Sequence, residues 1–152
     1  MKFIAHRGLL LGPDKHNENH PDQIQQALNQ GFECEIDIWI KDDLLYLGHD
    51  GPQYNVEFEY LKKSGLWIHA KNLESFRWLT NTDLNYFWHQ EDDFVLTSKG
   101  YIWTYPGKKL TDKSIQVMPE WFDQELENVN FDCLGICSDF IIKIKEKYDS
   151  LV

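Results

Sequence analysis

The chain has 152 residues and a formal net charge of −10, with 26% charged and 14% aromatic residues. That length bounds a single domain, residues 1–152, which buries about 70% of its unfolded surface and needs no staples. The acidic balance excludes a nucleic-acid groove, because phosphate backbones are held by Lys and Arg, but a small phosphate ligand stays open, since a bound divalent cation changes the local sign.

Lys2 to His6 reads as the first strand. There is no basic n-region, long apolar run or small-residue cleavage site, so neither a signal peptide nor a membrane span is expected. Gly12 to Asn17 reads as loop. His20-Pro21-Asp22 opens a helix with Ile24, Ala27 and Leu28 on one face, and Gly31 stops it. Phe32 to Lys41 is the clearest strand, Asp42-Asp43 a turn, and Leu44 to Leu47 a strand running up to Gly48-His49-Asp50. Val56 to Lys63 reads as a short helix, Leu66 to Lys71 as a strand, Leu73 to Leu79 as a helix and Tyr86 to Trp88 as a strand. Phe94–Thr97 and Tyr101–Thr104 read as two strands joined by Ser98-Lys99-Gly100. Ile115–Met118 and Leu134–Cys137 are further strands, and Phe140 to Tyr148 is a closing helix.

This α/β alternation predicts a largely parallel sheet closed as a compact TIM-type (β/α) barrel. A typical one needs about 250 residues, so several crossover helices must be trimmed to loops. That trimming is expected between His89 and Glu120, where helical periodicity is nearly absent. Cys34, Cys133 and Cys137 are an odd number without metal-site spacing. They read as buried free thiols in a reducing compartment, which points to the cytoplasm.

Side chains alternate faces in a strand, so Glu33, Glu35 and Asp37 share one face of Phe32–Lys41 while Cys34, Ile36, Ile38 and Ile40 share the other. The apolar face suits packing under helices. Three inward carboxylates would repel one another unless a positive group neutralised them, which a divalent metal does directly. A solvated acidic edge strand is the alternative. On Leu66–Lys71, Trp67, His69 and Lys71 share a face. His69 can be a ligand, a proton carrier or a hydrogen-bonded core histidine, and an inward Lys71 needs an anionic partner. His6-Arg7-Gly8 ends the first strand, with Gly8 permitting a tight turn that leaves both side chains at the strand's carboxyl end. His16 and His20 are expected to be exposed. His6 and His49 can exchange protons, and Arg7 can grip a phosphate.

Taken together, His6-Arg7-Gly8, Glu18-Asn19, Glu35-Ile36-Asp37 and His49-Asp50 resemble, in order and nearly in spacing, the pattern of the glycerophosphodiester phosphodiesterase family. Gly100-Tyr-Ile-Trp103-Thr104 and Gly135-Ile-Cys-Ser-Asp139-Phe140 are similar to its late strands. The resemblance implies a metal-dependent phosphodiesterase on a TIM-type barrel, acting on a small glycerophosphodiester-like phosphodiester. It implies His6 and His49 as acid and base, and Arg7 and Lys71 on the phosphate. One divalent ion, Mg²⁺ or Ca²⁺ with Mn²⁺ as the alternative, would be held by Glu35 and Asp37, with His69 and Glu18 in the same cluster. Asp50, His89 and Trp103 would line the substrate pocket. Two departures matter. His69 stands where the family carries a metal-binding Glu, and the chain is unusually short. They leave a second expectation open, a barrel that binds a phosphorylated ligand without turning it over.

Overall fold

The computed structural model describes residues 1–152. Ten strands form one mixed sheet: β1 (Lys2–Ala5), β2 (Glu33–Lys41), β3 (Leu44–Leu47), β4 (Tyr54–Val56), β5 (Leu66–Ala70), β6 (Tyr86–Phe87), β7 (Phe94–Leu96), β8 (Ile102–Thr104), β9 (Ser114–Val117) and β10 (Gly135–Ser138). There are three α-helices, α1 (Pro21–Asn29), α2 (Leu73–Leu79) and α3 (Ile141–Leu151). None is long and apolar enough to cross a membrane.

The parallel row runs β6-β5-β2-β1-β10-β9-β8, and β7 joins β8 antiparallel. β2 is long enough to serve twice. Its first half lies between β1 and β5, and its last residues leave the row to pair antiparallel with β3, which pairs in turn with β4. The β2–β3 connection is the two-residue turn Asp42-Asp43, both left-handed at φ 52° and 62°, as a tight hairpin requires.

The expected closed TIM-type barrel is not what forms. The sheet curls into an open half-barrel of mixed strands, with three helices in place of a ring of crossovers. The reason lies at the two ends of the row. β6 has only two residues, and the amide of Tyr86 is taken by the Ser98 hydroxyl at 2.9 Å rather than by a strand. A single backbone bond, Ser98 N–H to the Tyr86 carbonyl, approaches across the gap, and no ladder follows it. From His89 to Glu120, where trimming is expected, there is no α-helix, only the start of a 3₁₀ turn at Pro119–Trp121. The helix read over Val56–Lys63 is instead strand β4 followed by a 3₁₀ turn at Phe58–Lys62. Phe58 and Leu61, three apart, suit either helix type, and the hairpin with β3 claims Val56.

Local chemistry accounts for the helices that do form. The His20 ring Nδ1 accepts from the Asp22 amide at 3.1 Å and Pro21 opens α1. Asn72 and Ser75 cap α2 reciprocally. Beneath them, Cys34, Ile36, Ile38 and Ile40 pack outward from β2 against Ile24 and Ala27 of α1 and Leu79 of α2. The concave face holds a second cluster, Ile4, Trp67, Phe87, Trp103, Ile115 and Cys137. Cys34 and Cys137 are buried free thiols, as read from the sequence, whereas Cys133 is only half-buried.

Ile36 is fully buried in the outer cluster, so Ile36→Ala should cost about 2–5 kcal/mol in urea denaturation. Gln26→Ala, on the exposed side of α1, should change stability by less than about 0.5 kcal/mol. Equal effects would contradict this placement of the core.

Candidate functional site

The strand alternation read for β2 holds. Glu35 and Asp37 point to the concave side and are 2% and 1% exposed. Glu33 shares their face but sits one step below, where it accepts from Lys2 Nζ at 2.7 Å and Trp67 Nε1 at 2.6 Å. It therefore belongs to the floor of the sheet and is not with the upper pair.

The carboxyl ends of four neighbouring strands bring groups to that pair. After β1 the chain makes a 3₁₀ turn, His6–Gly8, with Arg7 left-handed at φ 53° and its amide on Glu35 Oε2 at 3.1 Å. Gly8 follows at φ 79°, where a Cβ would meet Ile24 at 3.0 Å, so the turn needs glycine. His6 Nε2 lies 3.9 Å from Glu35 Oε2. Its Nδ1 makes a 2.7 Å hydrogen bond with Asp139 at the end of β10. After β3, the Gly48 amide reaches the Asp37 carbonyl at 3.1 Å, and the Trp39 indole holds the Gly48 carbonyl at 2.7 Å. That turn sets His49 Nδ1 3.4 Å from Asp37 Oδ2. A Cβ at Gly48 would fall 2.1 Å from the Gly51 carbonyl oxygen.

From β5, paired in register with Asp37, His69 Nδ1 comes within 3.0 Å of Asp37 Oδ1 and 3.7 Å of Glu35 Oε1. Its Nε2 lies 3.1 Å from the His89 carbonyl, which can only accept, so Nε2 carries a proton and Nδ1 is the atom facing the acids. Lys71 Nζ stands 3.9 Å from Asp37 Oδ1. The Arg7 guanidinium bonds Glu18 at 2.9 Å and lies 3.2 Å from His49 Nε2.

The electrostatics follow from this crowding. Burial and the neighbouring Asp37 raise the Glu35 carboxyl above its ordinary value. Burial would raise Asp37 too, but the His49 and His69 imidazoles beside it and the charge of Arg7 overcome it and hold Asp37 well below the usual range. Burial depresses the His6 imidazole, yet the hydrogen bond to Asp139 and the charge of Glu35 outweigh it, and the net direction is up.

A cavity of about 420 Å³ opens over this cluster, within the size range of small-molecule sites. His6, Arg7, Glu35, Asp37, His49, His69, Lys71, His89 and Trp103 all line it. Two residues read into the site lie elsewhere. Asp50 is outside the cavity with its side chain 85% exposed, 3.7 Å from His49 Nε2. Glu18 grips Arg7 rather than joining the acids. The groups whose atoms could converge on one ion are Glu35, Asp37 and His69, all within 4.8 Å of one another. Three buried polar atoms of lining residues, Arg7 Nε, His49 Nδ1 and His89 Nδ1, make no hydrogen bond. Each faces a carboxylate instead: Arg7 Nε and His49 Nδ1 lie 3.4 Å from Asp37 Oδ2, and His89 Nδ1 lies 3.9 Å from Asp92.

Sequence reasoning gave no role to four residues that matter here. Asn19, fully buried and left-handed at φ 58°, bonds Asp37 twice, side chain to side chain and to its amide, each at 2.9 Å. Asp139 orients His6. Ser138 and Glu120 hold Asp139 in turn, because the buried Glu120 carboxylate accepts from the Ser138 hydroxyl at 2.9 Å and the Asp139 amide at 3.0 Å. Burial raises the Glu120 carboxyl despite those bonds. Asn19 and Asp139 stand in motifs that carry the resemblance, though without a role there, and Asp139 is further marked by its position at the carboxyl end of a strand, like His6.

Compared with protein-family models, curated proteins and solved structures, this chain matches none.

Proposed function

We propose that the chain is a metal-dependent phosphodiesterase that cleaves a small phosphodiester by proton transfer between His6 and His49. The observation that carries this reading is the convergence of two imidazoles and two cations, Arg7 and Lys71, on one buried carboxylate pair at the mouth of one cavity. The resemblance of the first 70 or so residues to the glycerophosphodiester phosphodiesterase family supports it.

Glu35, Asp37 and His69 offer two carboxylates and one imidazole, a mixed set suited to Mg²⁺ with retained water or to Mn²⁺. Bound there, a divalent ion would neutralise the phosphate and polarise the phosphorus–oxygen bonds. Arg7 and Lys71 would hold the non-bridging oxygens. Asp139 keeps a proton on His6 Nδ1, so Nε2 is the atom free to accept one, and His6 is the base. It takes the proton from the attacking oxygen, either water or a neighbouring hydroxyl of the substrate. As the new phosphorus–oxygen bond forms, the bond to the leaving alcohol breaks, and His49 gives that oxygen its proton. In the free protein His49 Nε2 accepts from Arg7 and so carries no proton; His49 serves as the acid only once Arg7 has turned to the phosphate and Nε2 has taken up a proton from solvent.

The test is turnover of bis(p-nitrophenyl) phosphate and of glycerophosphodiesters with Mg²⁺, Mn²⁺ or Ca²⁺. Activity should need the metal and disappear with chelator. No metal-stimulated turnover across a broad phosphodiester panel would overturn the proposal. Binding of glycerol phosphate without product by phosphorus NMR would instead favour a ligand-binding protein.

A further inference from the structure

The cavity is two-sided. Residues that follow β1, β3 and β5 bring it charge: His6 and Arg7, His49 and Lys71. Residues on or after β6, β8 and β9 bring it rings and apolar groups. From His69 the ring centroids step outward to His89 at 6.1 Å, then Tyr105 at 6.4 Å, then Trp121 at 6.3 Å. Trp103 and Met118 back this row from inside, 5% and 4% exposed. Tyr105 and Trp121 are 37% and 58% exposed, so the row starts at the buried acids and ends in water. No carboxylate and no cation lines this side.

The row is also firmly built. Trp121 lies in a 3₁₀ turn, Pro119–Trp121, entered through Met118 in the left-handed region at φ 46°. That conformation is costly for a side-chain-bearing residue and persists only where the surroundings hold it. Here Glu120 holds it, through Ser138 and Asp139. The turn that braces the His6–Asp139 pair therefore also sets Trp121 at the cavity mouth.

We propose that one alcohol of the phosphodiester is apolar, an alkyl or aryl group, and lies along the wall of Trp103, Tyr105, Met118 and Trp121. The inference rests on the phosphate seat of the proposed function and adds what that phosphate carries. A glycerol headgroup, with two hydroxyls to satisfy, would find only the His89 Nδ1, the Tyr105 hydroxyl and the Gln90 amide among largely apolar groups on this wall. An apolar group would be desolvated from the acids outward.

Calorimetry of the full chain in Mg²⁺ buffer, with inorganic, methyl, butyl, hexyl, phenyl and glycerol phosphate as probes, separates the outcomes. Affinity should rise at least about tenfold from methyl to hexyl phosphate, since each buried methylene is worth a factor of a few. Phenyl phosphate should also exceed methyl phosphate, and the stronger of the two arms assigns alkyl or aryl. Trp121→Ala, at a position 58% exposed, should reduce the hexyl-to-methyl ratio at least about threefold with the circular dichroism spectrum unchanged. A flat series with methyl phosphate still bound would overturn the apolar wall and leave the phosphate seat standing. An unchanged ratio in Trp121→Ala, or glycerol phosphate binding more tightly than hexyl phosphate, would overturn it equally. Binding of no phosphate at all would overturn the proposed function itself, and the wall's role with it.

Discussion

His6→Ala should lower kcat by about 10²–10⁴-fold, the usual loss for an acid–base group, and leave metal affinity nearly intact. The two readouts separate because His6 is not among the three groups whose atoms converge closely enough for one ion. Asp139→Asn should reproduce part of the loss without removing the imidazole. It keeps the shape but takes away the carboxylate that raises His6. In metal-free protein, NMR titration should place His6 above its ordinary value of about 6.5 in the wild type and lower in Asp139→Asn. The sign for stability follows. A histidine raised in the folded state contributes stability that is present in full below about pH 6.5 and is lost as pH rises through its folded value. Asp139→Asn should flatten that part of the pH–stability curve. For catalysis the sense is opposite, because a base must be unprotonated, so activity should fall as pH drops through the raised His6 value. A His6→Ala enzyme with wild-type kcat would remove His6 from the chemistry.

Much of this site was legible because it depends on local periodicity. The alternation of β2 put Glu35 and Asp37 inward and Ile36 and Ile38 outward, and both placements hold. The reading that leaves His6 and Arg7 at the carboxyl end of the first strand also holds, as does the shared face of His69 and Lys71. What failed depends on distant pairing. Whether the sheet closes is decided where β6 meets Ser98, twelve residues on, and nothing in Tyr86-Phe87 says that its outer edge stays free of a ladder. Asp139 lies 133 residues from His6, so no spacing rule links them. Trp121 falls in a stretch with no periodicity, held by Glu120, whose partners on β10 are invisible from its own neighbours. Asp50 was misplaced for the opposite reason. Its chain neighbour His49 turns inward, but the Gly48–Gly51 turn leaves the next side chain in solvent.

Asp37→Asn should weaken divalent-metal binding by more than about 100-fold, since even indirect partners of metal ligands cost 10–100-fold. Circular dichroism and urea denaturation must accompany it, because Asp37 also balances Arg7, His49 and Lys71, and an orphaned buried charge costs about 3–5 kcal/mol. His69 gives the cleaner experiment. Its Nε2 proton is committed to the His89 carbonyl, so Nδ1 meets the two carboxylates either with a second proton or with a lone pair. A lone pair facing two anions is repelled unless a cation stands between them, which is the arrangement of an imidazole ligand oriented by a backbone carbonyl. If His69 ligates, its Nδ1 must present a lone pair to the ion. His69→Gln should then lower Mn²⁺ affinity at least about tenfold. His69→Glu should strengthen Mg²⁺ and Ca²⁺ relative to Mn²⁺, because hard cations favour carboxylate oxygen and borderline ones accept nitrogen. Wild-type metal affinity and preference in His69→Gln would show instead that the ring only hydrogen-bonds Asp37. The ion would then rest on the two carboxylates and water alone.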